Sequence, residues 1–402
     1  MKKLLYFIIP IFIGIIFIVG LNKFLDIKIG NLYKSKDITI LKNEYSTNIK
    51  DKSVILADYF LSQNNIMMMG SSELNHVVSR QHPTNYFNTD RSKTQIFTIG
   101  RPYTQTLQDT IMLGSMNPNI KNKKIVLLLS MQWFMDKNGV TRAHFQSRFS
   151  PEQLYTFLDN KDISKKNKME ISDRVGELLK GSDEYKPERV YANLYDSNTM
   201  ISKIESVILY PYFEVRKNMV KIKEKGLLYR ALMKLPDKTL NKNREKKINW
   251  EKEKIEAVKE AKQKSNENNL KVYNDFYDVI KKQYKKLKNK YTNVNLMDSE
   301  EMKDYQSFLN LCENLNIKPT IVVIPASNWY YDYTGIPDKE RYKYYDKVTE
   351  MAKAKGFDVM NLKDKENVDY YLRDAMHLGP VGWLDVNEKL YKKYNDGEML
   401  NK

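Results

Sequence analysis

The stretch Asn65-Ile66-Met67-Met68-Met69-Gly70-Ser71-Ser72-Glu73 decides the reading of this chain. An apolar run too short for a helix stops at a glycine and two hydroxyls, which describes a buried strand turning sharply into a helix start. A serine at that turn sits among unpaired helix amides, where a nucleophile is exposed and a developing oxyanion is stabilised. The same pattern also describes an ordinary strand-to-helix corner. Catalysis therefore requires a base elsewhere in the chain.

The base is found far downstream, in Arg373-Asp374-Ala375-Met376-His377-Leu378-Gly379. A serine hydroxyl becomes a competent nucleophile when a histidine takes its proton and an acid holds that histidine in one tautomer. An Asp-x-x-His lets one loop present both groups. Of the four histidines, His76, His82, His144 and His377, only His377 combines this acidic neighbour with a following Gly-Pro break. The competing reading of the motif is a capping aspartate beside a surface histidine.

Taken together, Gly70-Ser71-Ser72-Glu73-Leu74, Ser130-Met131-Gln132-Trp133-Phe134, and Asp374-Ala375-Met376-His377 with Gly382-Trp383 resemble two nested groups. They are the SGNH (GDSL-like) hydrolase superfamily and, within it, the DltD family of D-alanyl-lipoteichoic acid biosynthesis proteins. The resemblance covers nearly the whole chain and rests on three blocks in order. It implies a three-layer α/β/α domain and a triad of Ser72, His377 and Asp374, with Ser72 chosen over Ser71 by its place in the first block. It also implies an oxyanion hole using the Ser72 and Gly100 amides and the Gln132 side chain. Gly100-Arg101-Pro102 departs from the small-residue run of relatives, and Gln132 stands where the superfamily usually has asparagine. The implied activity is transfer of D-alanine to lipoteichoic acid, with DltB, DltX and a carrier protein as pathway partners. Water in place of the polymer hydroxyl would make the same site an esterase or thioesterase, and a non-catalytic scaffold is the reading from a different class.

Upstream of the first block, Lys2 and Lys3 precede an uncharged apolar stretch, residues 4–21, whose length at ~1.5 Å per residue approaches that of a bilayer core. No small-x-small cleavage site follows it. The stretch predicts a retained transmembrane helix (residues 1–24 as anchor) with a cytoplasmic N-terminus, placing residues 25–402 as one large domain on the extracellular face of the membrane. A domain of that size builds its own core, and the single cysteine, Cys312, lies at helical spacing with Tyr305, Phe308 and Leu309, which predicts packing rather than a disulfide.

The formal charge of +17, from 67 basic and 50 acidic residues, predicts attraction to polyanions. No zinc-ligand spacing, RNA-recognition signature or phosphate-binding loop is present, so nucleic acid is not the expected partner and no metal or cofactor is expected. Apolar runs at 66–69, 95–99, 124–129, 320–324 and 357–361 predict the strands of a parallel sheet, whose carboxyl ends carry Ser72, Gly100, Gln132 and, beyond the last strand, Asp374 and His377. Between the third and fourth runs, residues 139–295 carry thin apolar stripes at helical spacing and predict a helical insertion. Within it Ser150-Pro151-Glu152-Gln153 reads as a capped helix start, and Asp298-Ser299-Glu300-Glu301 repeats the signal as the chain returns to the sheet.

Overall fold

The computed structural model describes residues 2–45, 47–89, 92–197, 199–238 and 248–397. Five strands, β1 (Ile66–Met69), β2 (Ile96–Ile99), β3 (Ile125–Ser130), β4 (Thr320–Ile324) and β5 (Asp358–Asn361), form one parallel sheet in the order β2-β1-β3-β4-β5. They fall within a residue of the runs read from the sequence. The register sets Met69 beside both Ile99 and Leu127, so the chain leaves β1, β2 and β3 on one edge. Strand order reverses between β1 and β3, and such a switch point opens a crevice outside the carboxyl ends of the strands.

Both faces of the sheet are covered, which explains why the strands read as unbroken apolar runs. Met67, Met69, Leu127, Leu129, Ile321 and Val323 point into one core, against helices Val54–Ser62, Thr106–Gly114, Glu300–Asn314 and Asp338–Lys353. Their neighbours Ile66, Met68, Val126, Leu128, Val322 and Ile324 point into the other, where Trp383, Leu384 and Leu390 of helix Pro380–Tyr391 pack with Ala257 and Tyr273. Three layers result. Cys312 is fully buried in the first core, as its helical spacing required.

The long connection from β3 to β4 contains eight α-helices and no strand among the described residues. Ser150 caps helix Pro151–Asp159 by accepting from the Gln153 amide, with proline in the first turn. The Gln153 side chain does not reach back. It donates instead to the Asp51 carbonyl at 2.8 Å, tying the insertion to the segment behind the active edge.

The reading of residues 4–21 as a transmembrane helix is overturned: among the described residues no helix is long and apolar enough to cross a membrane. The side chains of residues 1–12 lie outside the described ones. The stretch opens a longer helix, Lys2–Ser35, that runs on through Lys23, Asp26 and Lys28 and packs along helix Met200–Met233. There Leu25 and Ile29 are buried, and Lys225 reaches Asn22 and Asp26 at 2.6 and 2.5 Å. Each buried aliphatic contributes about 1.5–3 kcal/mol, whereas an ion pair with a half-exposed Asp26 contributes at most about 1, so apolar contact holds this helix down. The single-pass anchoring drawn from residues 4–21 falls with that assignment.

Candidate active site

The turn after β1 is built by two loops that cross at backbone distance. Gly70 N–H donates to Ile99 O at 3.1 Å. Gly100, at φ +132°, lies so close that a Cβ there would stand 1.8 Å from the Gly70 carbonyl oxygen. Only glycine fits that crossing. Ser71 then spends both its polar groups internally, its N–H on Glu73 Oε2 at 2.9 Å and its hydroxyl on the Arg101 carbonyl at 3.2 Å. Ser72 is left to face outward.

Its hydroxyl lies 2.8 Å from His377 Nε2, across 305 positions of sequence. His377 Nδ1 lies 2.8 Å from Asp374 Oδ2, and the other carboxylate oxygen accepts the Met376 and His377 amides at 2.9 and 2.8 Å. With Nδ1–H donating to Asp374, Nε2 is free to accept the serine proton. The three-residue spacing thus does two jobs: the acid closes the turn and orients the ring.

Electrostatics follow from this geometry. Burial opposes the Asp374 charge, but His377, Arg373 and the Met376 amide outweigh it and hold the carboxyl down at about 2. Burial likewise opposes a cationic His377, yet the charge and hydrogen bond of Asp374, with a smaller contribution from Glu73, raise its pKa above the usual histidine value. Glu73 itself, 3% exposed, is pushed up by burial, and its Oε1 has no hydrogen-bond partner.

The candidate oxyanion donors are placed differently from one another. The Ser72 amide opens the short turn Ser72–Leu74. Gly100 N–H donates to Asp51 Oδ1 at 3.2 Å, and Asp51 in turn pairs with Arg101 at 2.8 Å. Gln132 stands exposed on the turn Met131–Met135, directly after β3 and across the switch point from Ser72. Its neighbours Trp133 and Phe134 are buried and serve packing, Phe134 against Tyr344.

The remaining histidines have other partners. His82 is buried between Thr84 Oγ1 and the Leu74 carbonyl, and burial with the nearby His76 drops its pKa to about 3. His144 stacks flat on Tyr103 with ring centroids 3.6 Å apart. Sequence reasoning missed the Asp51–Arg101 pair that fixes the Gly100 loop. Asp51 lies in a polar five-residue helix, Asn48–Lys52, and nothing in its neighbourhood distinguishes it from a solvated acid.

Comparison with known proteins agrees in extent with the three sequence blocks. The DltD protein family model matches residues 42–395. Protein DltD of Bacillus subtilis (strain 168) is 27% identical over 332 residues, covering 83% of this chain and 83% of the relative. Protein DltD of Staphylococcus aureus (strain NCTC 8325 / PS 47) is 24% identical over 346 residues, covering 85% of this chain and 84% of its own. Protein DltD of Lacticaseibacillus rhamnosus is 22% identical over 386 residues, covering 94% and 88%. With a family model spanning most of its length, from ahead of β1 to beyond the histidine loop, the chain belongs to the DltD family.

Proposed function

We propose that this chain is a serine-dependent acyltransferase that carries D-alanine through an acyl-Ser72 intermediate to a hydroxyl of lipoteichoic acid. Membership of the DltD family supplies the pathway, D-alanylation of lipoteichoic acid in the cell wall. The geometry of the site supports the following step. His377 Nε2 takes the Ser72 proton as Oγ attacks the D-alanyl carbonyl, and the donor leaves with that proton. The acceptor hydroxyl then gives its proton to His377, attacks the acyl-serine, and releases the new ester with Ser72 restored. Asp374 keeps the imidazole in the required tautomer and stabilises the cation formed in each half. The Ser72 amide and the Gln132 side chain are the proposed donors to the oxyanion, and Gly100 N–H joins them if it is released by Asp51. DltB, DltX or a carrier protein stands on the donor side of this scheme.

The observation that carries the reading is the unbroken chain Ser72 Oγ, His377, Asp374 at two contacts of 2.8 Å, joined from opposite ends of the sequence. The experiment is a variant series in a strain whose D-alanine ester content is measured alongside protein level and Tm. Ser72→Ala and His377→Ala should abolish ester formation with Tm preserved, while Ser71→Ala, which removes one hydrogen bond to a carbonyl, should be milder. Wild-type ester content in Ser72→Ala would exclude Ser72 as the nucleophile.

A further inference from the structure

Helix Asn274–Leu287, the last but one of the insertion, borders the carboxyl edge of the sheet beside the acid–base loop. Backbone hydrogen bonds fasten it at both ends. Ahead of it Tyr273 N–H donates to Arg373 O at 2.8 Å. Beyond it Asn289 and Tyr291 N–H donate to the Tyr333 and Thr334 carbonyls at 3.0 and 2.7 Å, at the end of helix Asn328–Thr334, which follows β4. Between these ties Tyr284 stacks on Tyr333 with ring centroids 4.2 Å apart, and Ile280 and Leu287 are buried in the first core. The inner face of the helix is thus spent on packing, and its place relative to His377 is fixed.

The outer face is different. Residues 281–290 hold six lysines, Lys281, Lys282, Lys285, Lys286, Lys288 and Lys290, and all six are exposed. The four within the helix, at i, i+1, i+4 and i+5, share the face opposite Ile280 and Leu287. Exposed lysines on other helices, such as Lys254 and Lys303, hold a glutamate one turn away. None of these six pairs with a carboxylate among the described residues, although Asp278 stands one turn ahead of Lys281 and Lys282. Asp332, on the adjoining helix, is taken by Arg341 at 2.6 Å. The helix dipole accounts for cations in the last turn, Lys285 and Lys286, and leaves the other four unexplained. Like charges one turn apart repel, so the row carries a cost that an anion lying along it would remove.

We propose that residues 281–290 are the track on which an anionic phosphodiester polymer lies while its hydroxyls reach Ser72. The proposal rests on the reading of such a polymer as the acyl acceptor and adds where that acceptor is held. Flexible ammonium groups in successive turns, with no cavity or cluster of backbone amides around them, match a repeated charge rather than a single phosphate. Lys281 to Lys286 lie about 12–20 Å along the helix from Tyr273, so a held stretch runs beside the acid–base loop and leaves Ser72 open to neighbouring repeats. A bilayer surface fits less well. A helix that lies in lipid turns its apolar face outward, whereas here Ile280 and Leu287 are turned into the core.

Binding is measured by calorimetry on the full chain carrying Ser72→Ala, so that turnover contributes nothing and the result does not depend on whether Ser72 is the nucleophile. The probe is poly(glycerol phosphate) freed of lipid, with phosphatidylglycerol vesicles in a parallel arm. Lys282→Gln, Lys285→Gln and Lys286→Gln combined should weaken polymer binding about tenfold at low salt. They should also flatten the log–log salt dependence by about 2, the value for three lost phosphate contacts on a single strand. Tm should hold, because the side chains are exposed and glutamine keeps the helix propensity. Lys121→Gln, Lys161→Gln and Lys318→Gln combined remove the same charge from exposed positions at the opposite edge, where β3 and β4 begin, and should leave polymer affinity within about twofold. Equal losses in the two variants would make the attraction general to the basic surface and overturn the proposal. Polymer affinity that survives the helix exchange would also overturn it. So would an absence of polymer binding by the parent chain, including the case where vesicles bind and the helix exchange abolishes that binding.

Discussion

Two carboxylates act on one histidine. Asp374 holds His377 directly, and Glu73, which braces the Ser71 amide from beneath the turn, adds negative charge nearby. Asp374→Asn should preserve the loop but favour the wrong tautomer. In a serine protease triad that exchange lowers turnover about 10⁴-fold, and a comparable loss in acylation of Ser72 is expected from single-turnover kinetics with an activated ester. Glu73→Gln separates bracing from charge, since its amide oxygen still accepts the Ser71 N–H. A base works only when neutral, and His377 is held cationic to a higher pH than usual, so activity should rise with pH through a midpoint above the ordinary histidine value. Removing the Glu73 charge lowers the His377 pKa, so the acid limb of kcat/KM should move to lower pH while Asp374 and Arg373 still act as before. A limb that stays in place, with Tm intact, would reduce Glu73 to a brace.

The element that matters most is the crossing of the β1 and β2 exits. Gly100→Ala puts a methyl group into the Gly70 carbonyl and forces an alanine into φ +132°, a backbone cost alone of ~1–3 kcal/mol before the clash is counted. Urea unfolding should show lost stability together with lost labelling of Ser72 by a serine-directed acylating probe. Wild-type behaviour in both assays would mean the loops do not cross at this distance. At this scale the sequence was legible where period and length are diagnostic. All five strands, the helical insertion and the serine–histidine partnership were readable because each is written in local residues or in a short motif. The occupation of the Gly100 amide was not, because Asp51 lies 49 positions away in a segment without a pattern. The membrane reading of residues 4–21 failed for a related reason. Apolar length looks the same whether a helix stands alone or continues, as here, into a charged half that docks on another helix.

For the whole molecule the relevant quantities are charge and connectivity. A formal +17 spread over the surface attracts an anionic polymer through terms that salt screens within about 10 Å at 0.1 M. Binding of purified lipoteichoic acid should therefore weaken steeply between low and moderate salt, whereas hydrolysis of a small uncharged ester should change little. Parallel salt dependence in the two assays would argue against polymer attraction by the basic surface. Connectivity has a different consequence. β3 pairs with β4 in register from Val126 opposite Thr320, so the centre of the sheet is completed only after the entire insertion has been made. During synthesis the apolar β3 presents an open edge for as long as those residues take to emerge, an interval in which non-native pairing is the competing outcome. Ser72 precedes His377 by 305 positions, so for that interval of synthesis a nascent chain holds the proposed nucleophile without its proposed base. On the proposed mechanism, timing as well as geometry keeps the serine inert until the fold around it is complete.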